Sequence, residues 1–174
     1  MKILGNPLLF SSMNQSDEKV TLADQIAITE VEAPPFHEKN RGLNMIERFK
    51  ALGLEDVTMD PEGNVIAVRR GAGNGPVLVL AAHQDTVFPV GTDVKVREEN
   101  GILHAPGISD DARGLAVILQ VLRTLEEEKI ETVGDIYFVC TVGEEGNGDL
   151  RGGKYLFSSK EEHIDGFISV DSAC

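Results

Sequence analysis

Three short apolar runs constrain this chain more than any other feature: Val77-Leu78-Val79-Leu80-Ala81-Ala82, Ile136 to Val142, and Phe167-Ile168-Ser169-Val170. The first is continuous rather than alternating, as a strand covered on both faces must be, and the other two read as further strands of the same layer. Between the first and second runs, Leu115, Ile118, Leu119, Leu122 and Leu125 recur at helical spacing, which predicts an amphipathic helix over 111–127. A further helix near 152–159 separates the second run from the third. Strand, helix, strand, helix, strand is the pattern of an α/β layer built on a largely parallel sheet.

The preceding residues read as connected smaller elements. Residues 1–16 form a loose leader, and a first helix runs from about Leu22 to Glu30, capped by Thr21 or Asp17 and ended by Pro34-Pro35. Leu43, Ile46, Phe49 and Leu52 place a second helix over 39–52, stopped by Gly53. Short strands near 54–59 and 63–70 flank the turn Asp60-Pro61-Glu62-Gly63-Asn64, and a hairpin pairs 94–97 with 102–104 around Asn100-Gly101. The glycine-rich stretch 71–76 precedes its strand and carries no Lys-Ser/Thr, so it is a connection and not a phosphate loop. The chain stops as its last strand ends, with no closing helix, which reads as a truncated domain.

Charge narrows the function. The 174 residues carry a formal net charge of -13, which argues against a nucleic-acid partner, whose phosphates need clustered Lys and Arg, and against an anionic membrane surface. The apolar start Met1–Phe10 is short and broken by Asn6 and Pro7, a weak secretory signal, and no stretch is long enough to span a bilayer. Two cysteines make no disulfide framework, and Cys140, inside an apolar run, reads as a small buried hydrophobe. A reducing cytoplasm is the expectation.

Open α/β sheets gather their sites at the carboxyl ends of parallel strands. His83-Gln84-Asp85 follows the first buried run, Gly143-Glu144-Glu145-Gly146 the second, and Asp171 the third; Asp110-Asp111 opens the long helix. Every ending carries an imidazole or a carboxylate. Singly, each is weak: Asp110-Asp111 reads as an N-cap, and Glu144-Glu145 as a solvated turn. Together they suggest a metal site, and histidine with carboxylates and no thiolate suits catalytic zinc. Asp85, two residues beyond His83, can receive its other ring proton and orient it.

His83-Gln84-Asp85-Thr86-Val87, Gly107 to Gly114 and Thr141 to Gly146, in that order and completed by Asp171, resemble the co-catalytic two-zinc exopeptidase and deacylase family. That family includes glutamate carboxypeptidases, aminoacylases, acetylornithine deacetylase, succinyl-diaminopimelate desuccinylase and tripeptide aminopeptidase. The resemblance implies a three-layer zinc-exopeptidase-like domain. It implies that His83 and Asp171 hold one Zn2+, that Glu145 holds a second, and that Asp110 bridges them, with Co2+ or Mn2+ as substitutes. Glu144 would be the general base and Asp85 the residue that orients His83, with a cis peptide between Asp110 and Asp111.

The same resemblance makes 17–174 the front part of a metallopeptidase catalytic domain, without a late His ligand or the smaller domain used for dimerisation and substrate binding. The implied whole is a homodimeric hydrolase of amide bonds in small peptides or N-acyl amino acids, the longer match in the first motif leaning toward peptidase; the fragment alone would be inactive. The rival reading is a metal-binding pseudo-enzyme on the same fold, against which the presence of Glu144 speaks. His37, His104 and His163 belong to no motif and read as ordinary surface or edge residues. Ala112-Arg113 stands where many relatives place a Lys, a difference for helix packing rather than ligation.

Overall fold

A computed structural model describes residues 15–158 and 163–172. In chain order the elements are helices α1 (Gln15–Thr29) and α2 (Lys39–Ala51), strands β1 (Val57–Met59), β2 (Val65–Arg69), β3 (Leu78–His83), β4 (Arg97–Glu99) and β5 (Ile102–His104), helix α3 (Ala112–Glu127), strand β6 (Ile136–Thr141), helix α4 (Arg151–Ser158) and strand β7 (Gly166–Ser169). The main sheet has the order β1-β2-β6-β3-β7. Strand β3 lies parallel to both β6 and β7, whereas β2 runs antiparallel to β6 and to β1.

The sheet is therefore mixed, with parallel pairing confined to its β6-β3-β7 side. Connection length explains the division. The turn between β1 and β2 spans only a few residues and can only reverse the chain, while the segment containing α3 is long enough for a parallel crossover. Asp60 builds that turn: its Oδ1 accepts from the Gly63 and Asn64 amides at 2.8 and 2.9 Å.

Alternate residues of the central strands feed two cores. Ala82, Phe138 and Cys140 join Ile28, Met45, Phe49, Leu115, Ile118 and Leu119 under α1, α2 and α3. Val79, Ala81, Tyr137 and Val139 pack with Leu156 of α4 on the opposite face. This gives three layers and accounts for the apolar runs of β3 and β6; the third run differs, because β7 lies at the edge of the described sheet and Phe167, Ile168 and Ser169 are exposed. Each fully buried aliphatic side chain on α3 is worth roughly 1.5–3 kcal/mol.

The structure departs from the sequence expectation at the first helix and at the hairpin. Helix α1 starts at Gln15, not near Leu22, and takes in the last two residues of the expected leader; residues 1–14 lie outside the described residues. The inward face of α1 carries Thr21, Gln25 and Thr29, all buried, so apolar periodicity understates the helix. Thr21 is no cap: its hydroxyl donates back to the Asp17 carbonyl at 2.7 Å. The first hairpin strand is Arg97–Glu99 rather than 94–97, because positive φ at both Asn100 and Gly101 makes a two-residue turn that pairs Glu99 with Ile102. Among the described residues, no helix is long and apolar enough to cross a membrane.

Candidate metal centre

Because β3, β6 and β7 are parallel, their carboxyl ends share one edge of the sheet. His83 closes β3 and is 4% exposed. Its Nε2 lies 2.8 Å from Asp110 Oδ1 and 3.8 Å from Asp171 Oδ1. Two groups of ligand atoms, each lying within 4.8 Å of one another, meet at this imidazole: His83 with Asp110 and Asp171, and His83 with Glu144 and Glu145. All the sequence-selected ligand candidates thus sit around one histidine. The second group joins both glutamates to His83 and does not include Asp110.

Asp85 is placed differently from the sequence expectation. His83 Nδ1 meets the main-chain carbonyl of Asp85 at 3.0 Å, and the Asp85 carboxylate only at 3.6 Å. Strand β3 ends at His83, so the two-residue alternation stops before Asp85 and its side chain turns toward the loop after β6. There its oxygens accept the Glu144 and Glu145 amides, each at 2.9 Å. Burial works to raise its pKa, but His83 and the two amides outweigh burial and hold it below the ordinary carboxylate value. The carbonyl orients the imidazole, and the carboxylate carries the two glutamates.

Asp111 does more than cap a helix. Its Oδ1 accepts from the Gly114 amide at 2.9 Å and its Oδ2 from the His83 amide at 3.1 Å, tying the start of α3 to the end of β3. A Cβ on Gly114 would stand 2.2 Å from Asp111 Oδ1, so only glycine leaves room for this carboxylate. Burial is the main reason its pKa rises to about 7. The peptide between Asp110 and Asp111 is cis.

For the His83 imidazole, burial favours the neutral form, but Asp85, Asp111 and Asp110 together raise it to about 9. Glu144 and Glu145 are both raised, chiefly by burial and then by neighbouring carboxylates. Crowded carboxylates around a proton-holding imidazole form a site whose charge a divalent cation would neutralise. The donors are oxygen and imidazole nitrogen; Cys140 is fully buried and its thiol is pushed up by burial.

Two supports gave no signal in the sequence. Asn64, read there only as part of a turn, is fully buried; it accepts the Val142 amide at 3.0 Å and donates to the Gly152 carbonyl at 3.0 Å, fixing the strand end before Gly143. Arg41 reads as one more charged residue on a helix, yet it is buried behind the site. Beside Glu144 and Asp171 opens a groove of about 600 Å³, walled by Leu150, Phe157 and Phe167.

The sequence profile of the peptidase family M20/M25/M40 matches residues 79–172, which contain this whole constellation. The chain belongs to that family. Among its relatives, the chain is similar to YqjE of Bacillus subtilis (strain 168), 34% identical in a 151-residue alignment that covers 80% of this chain and 40% of YqjE. It is 37% identical over 109 residues to carboxypeptidase G2 of Pseudomonas sp. (strain RS-16), covering 62% of this chain and 25% of that protein. Among solved structures, aminopeptidase PepT of Bacillus cereus superposes with a TM-score of 0.76 at 26% identity, over 90% of this chain and 44% of PepT. This M20/M25/M40 chain therefore matches less than half the length of each of these relatives.

Proposed function

We propose that this chain contributes the metal-binding part of a zinc-dependent hydrolase that cuts amide bonds in small peptides or N-acyl amino acids. The observation that carries the reading is the Asp85 carboxylate gripping both the Glu144 and Glu145 amides beside His83. That arrangement sets two adjacent glutamates at one imidazole, so one can serve a metal and the other a proton.

The donor set fits zinc: one imidazole and several carboxylates, with no thiolate. His83 and Asp171 would hold one ion and Glu145 a second, with Asp110 between them; Co2+ or Mn2+ would suit the same ligands. Zinc bound there supplies an acidified water and a polarised carbonyl. Glu144, its pKa raised mainly by burial, is suited to take a proton on its carboxylate and return it to the leaving amine. The Asp85 carbonyl keeps the His83 ring turned so that Nε2 faces the acidic cluster, and the adjoining groove offers room for a small substrate.

The names of PepT and carboxypeptidase G2 support the peptide side of this reading. The 40% share of YqjE supports residues 17–174 as one part of a longer catalytic domain. A late histidine, a dimerisation domain, a homodimer and a cytoplasmic setting complete the proposal.

The test is Glu144→Gln in the full-length protein, assayed on a panel of small peptides and acylated amino acids. Metal content should persist while turnover drops by ~10²–10⁴. If Glu144→Gln loses zinc and Glu145→Gln retains it, their roles are reversed. Zinc binding by the unaltered protein without hydrolysis of any panel member would favour the pseudo-enzyme.

A further inference from the structure

Arg41 stands in the first turn of α2 and is 1% exposed, first by volume among the fully buried side chains of the described residues. Its Nε and Nη2 donate to the Val31 carbonyl at 2.9 and 2.6 Å, and Nη2 also reaches the Thr29 carbonyl at 3.5 Å. Its Nη1 donates to the Gln84 carbonyl at 2.9 Å. None of these acceptors is a carboxylate. A buried guanidinium is being used to join main-chain segments rather than to form an ion pair.

The segment it grips matters. Gln84 is fully buried between His83 and Asp85, and its amide donates to the Thr141 carbonyl at 2.8 Å. The neighbouring Thr86 amide donates to the Ala33 carbonyl at 2.9 Å, so the chain just after α1 is bound to the end of β3 at two places. Beside Arg41, a Cβ on Gly42 would lie 2.8 Å from Met59 Cε and 3.3 Å from Gln84 Oε1. Helix α2 thus approaches Gln84 closely.

We infer that Arg41 is a positioning residue for the metal centre: by fixing the Gln84 carbonyl it sets the peptide leading to Asp85. The Asp85 carbonyl in turn orients the His83 imidazole, and its carboxylate holds the Glu144 and Glu145 amides. This inference rests on the metal-centre reading above. Arginine suits the task because its planar fork can bond carbonyls of two separate segments at once, which a lysine ammonium on a flexible stem does not hold as rigidly. Burial lowers the guanidinium to about 10, against the pull of Asp85 and Asp111, so the cation persists at neutral pH.

The experiment uses the full-length protein and measures zinc affinity by competition with a chromophoric chelator, the visible spectrum of the Co2+-loaded form, and thermal melting. Arg41→Lys and Arg41→Gln are compared with Phe49→Leu, a core change on the same helix away from Gln84. Both Arg41 variants should weaken zinc binding about 10–100-fold, the range for groups that orient a metal ligand, and should shift the Co2+ bands. Phe49→Leu should lower the melting temperature and leave affinity and spectrum unchanged.

Unchanged affinity and spectrum in Arg41→Lys would overturn the inference. So would equal weakening by Phe49→Leu at a matched loss of melting temperature, because the effect would then be one of stability alone. If neither Arg41 variant folds, the Arg41 Nε–H resonance of the ¹⁵N-labelled unaltered protein decides. It should move when zinc is added, and a stationary resonance would overturn the assignment. Failure of the unaltered protein to bind zinc would instead defeat the metal-centre reading itself, and this role with it.

Discussion

The carboxyl ends of β3 and β7 both deliver candidate ligands, but they are built differently. At the end of β3, His83, Gln84 and Asp85 are 4%, 0% and 0% exposed, and hydrogen bonds with the Asp111 carboxylate, the Thr141 carbonyl and the Glu144 and Glu145 amides hold them in place. At the end of β7, an edge strand of the sheet, Phe167 and Ile168 are exposed. The Asp171 side chain is 46% exposed, and its carboxylate accepts the neighbouring Ser172 amide at 2.7 Å. The fold holds the first candidate ligand by hydrogen bonds of its own, whereas the second is exposed on an edge strand of the described sheet. Substitutions should therefore divide into those that damage fold and site together and those that damage the site alone.

The largest stability effect is expected from Asp85→Ala. It removes a buried carboxylate and leaves the Glu144 and Glu145 amides without their acceptor, a loss of about 3–5 kcal/mol. Denaturant unfolding of the metal-free protein measures it. A loss under about 1 kcal/mol, within the range of ordinary surface changes, would erase the contrast between the two strand ends.

Gly114→Ala comes next. The added methyl collides with Asp111, so the carboxylate must swing away from the Gly114 and His83 amides, at a cost of about 1–3 kcal/mol. The same unfolding experiment applies. A neutral result, with the Asp111 contacts retained in a crystal structure of the variant, would show that the junction of α3 with β3 is looser than drawn.

Protonation sharpens the comparison from another side. The folded His83 titrates near 9 against an ordinary 6.5. Its charge thus stabilises the metal-free fold fully below pH 6.5, and that contribution disappears as pH rises through 9. Asp111, raised to about 7 from 3.8, acts in the same direction at lower pH, since a buried acid that prefers its proton loses stability as it ionises. Unfolding free energies of the metal-free protein should fall by on the order of 2 kcal/mol between pH 6 and 9. Zinc binding, which displaces the imidazole proton, should strengthen over the same interval. A flat or rising profile for the metal-free protein would contradict the electrostatic picture of the β3 end.

The smallest stability effect belongs to Asp171→Ala. A side chain this exposed should change unfolding by no more than about 0.5 kcal/mol, while zinc affinity falls. Destabilisation comparable to that of Asp85→Ala would mean that the two strand ends are equally structural.

Legibility in the sequence followed the same division. The β3, β6 and α3 segments were readable because both faces of the strands and one face of the helix are apolar. The acidic endings were readable because parallel strands gather their ends. Helix α1 was half visible, since Thr21, Gln25 and Thr29 face inward. The antiparallel join of β2 to β6 left no trace, because apolar runs do not encode strand direction. Asp85 was recognised, but its geometry was not: spacing suggests a carboxylate beside His83, whereas the end of β3 redirects that side chain and leaves the carbonyl in its place. Arg41 and Asn64 were invisible as supports because their acceptors and donors are main-chain groups far along the chain.

The most direct measurement is anomalous scattering at the zinc edge from crystals of the full-length protein grown with zinc. The account predicts one peak in contact with His83 and Asp171 and a second in contact with Glu145, with Asp110 between them and Glu144 outside both coordination shells. Zinc bound away from His83, or an ordered structure whose His83–Asp110 contact persists with no zinc beside it, would contradict the account.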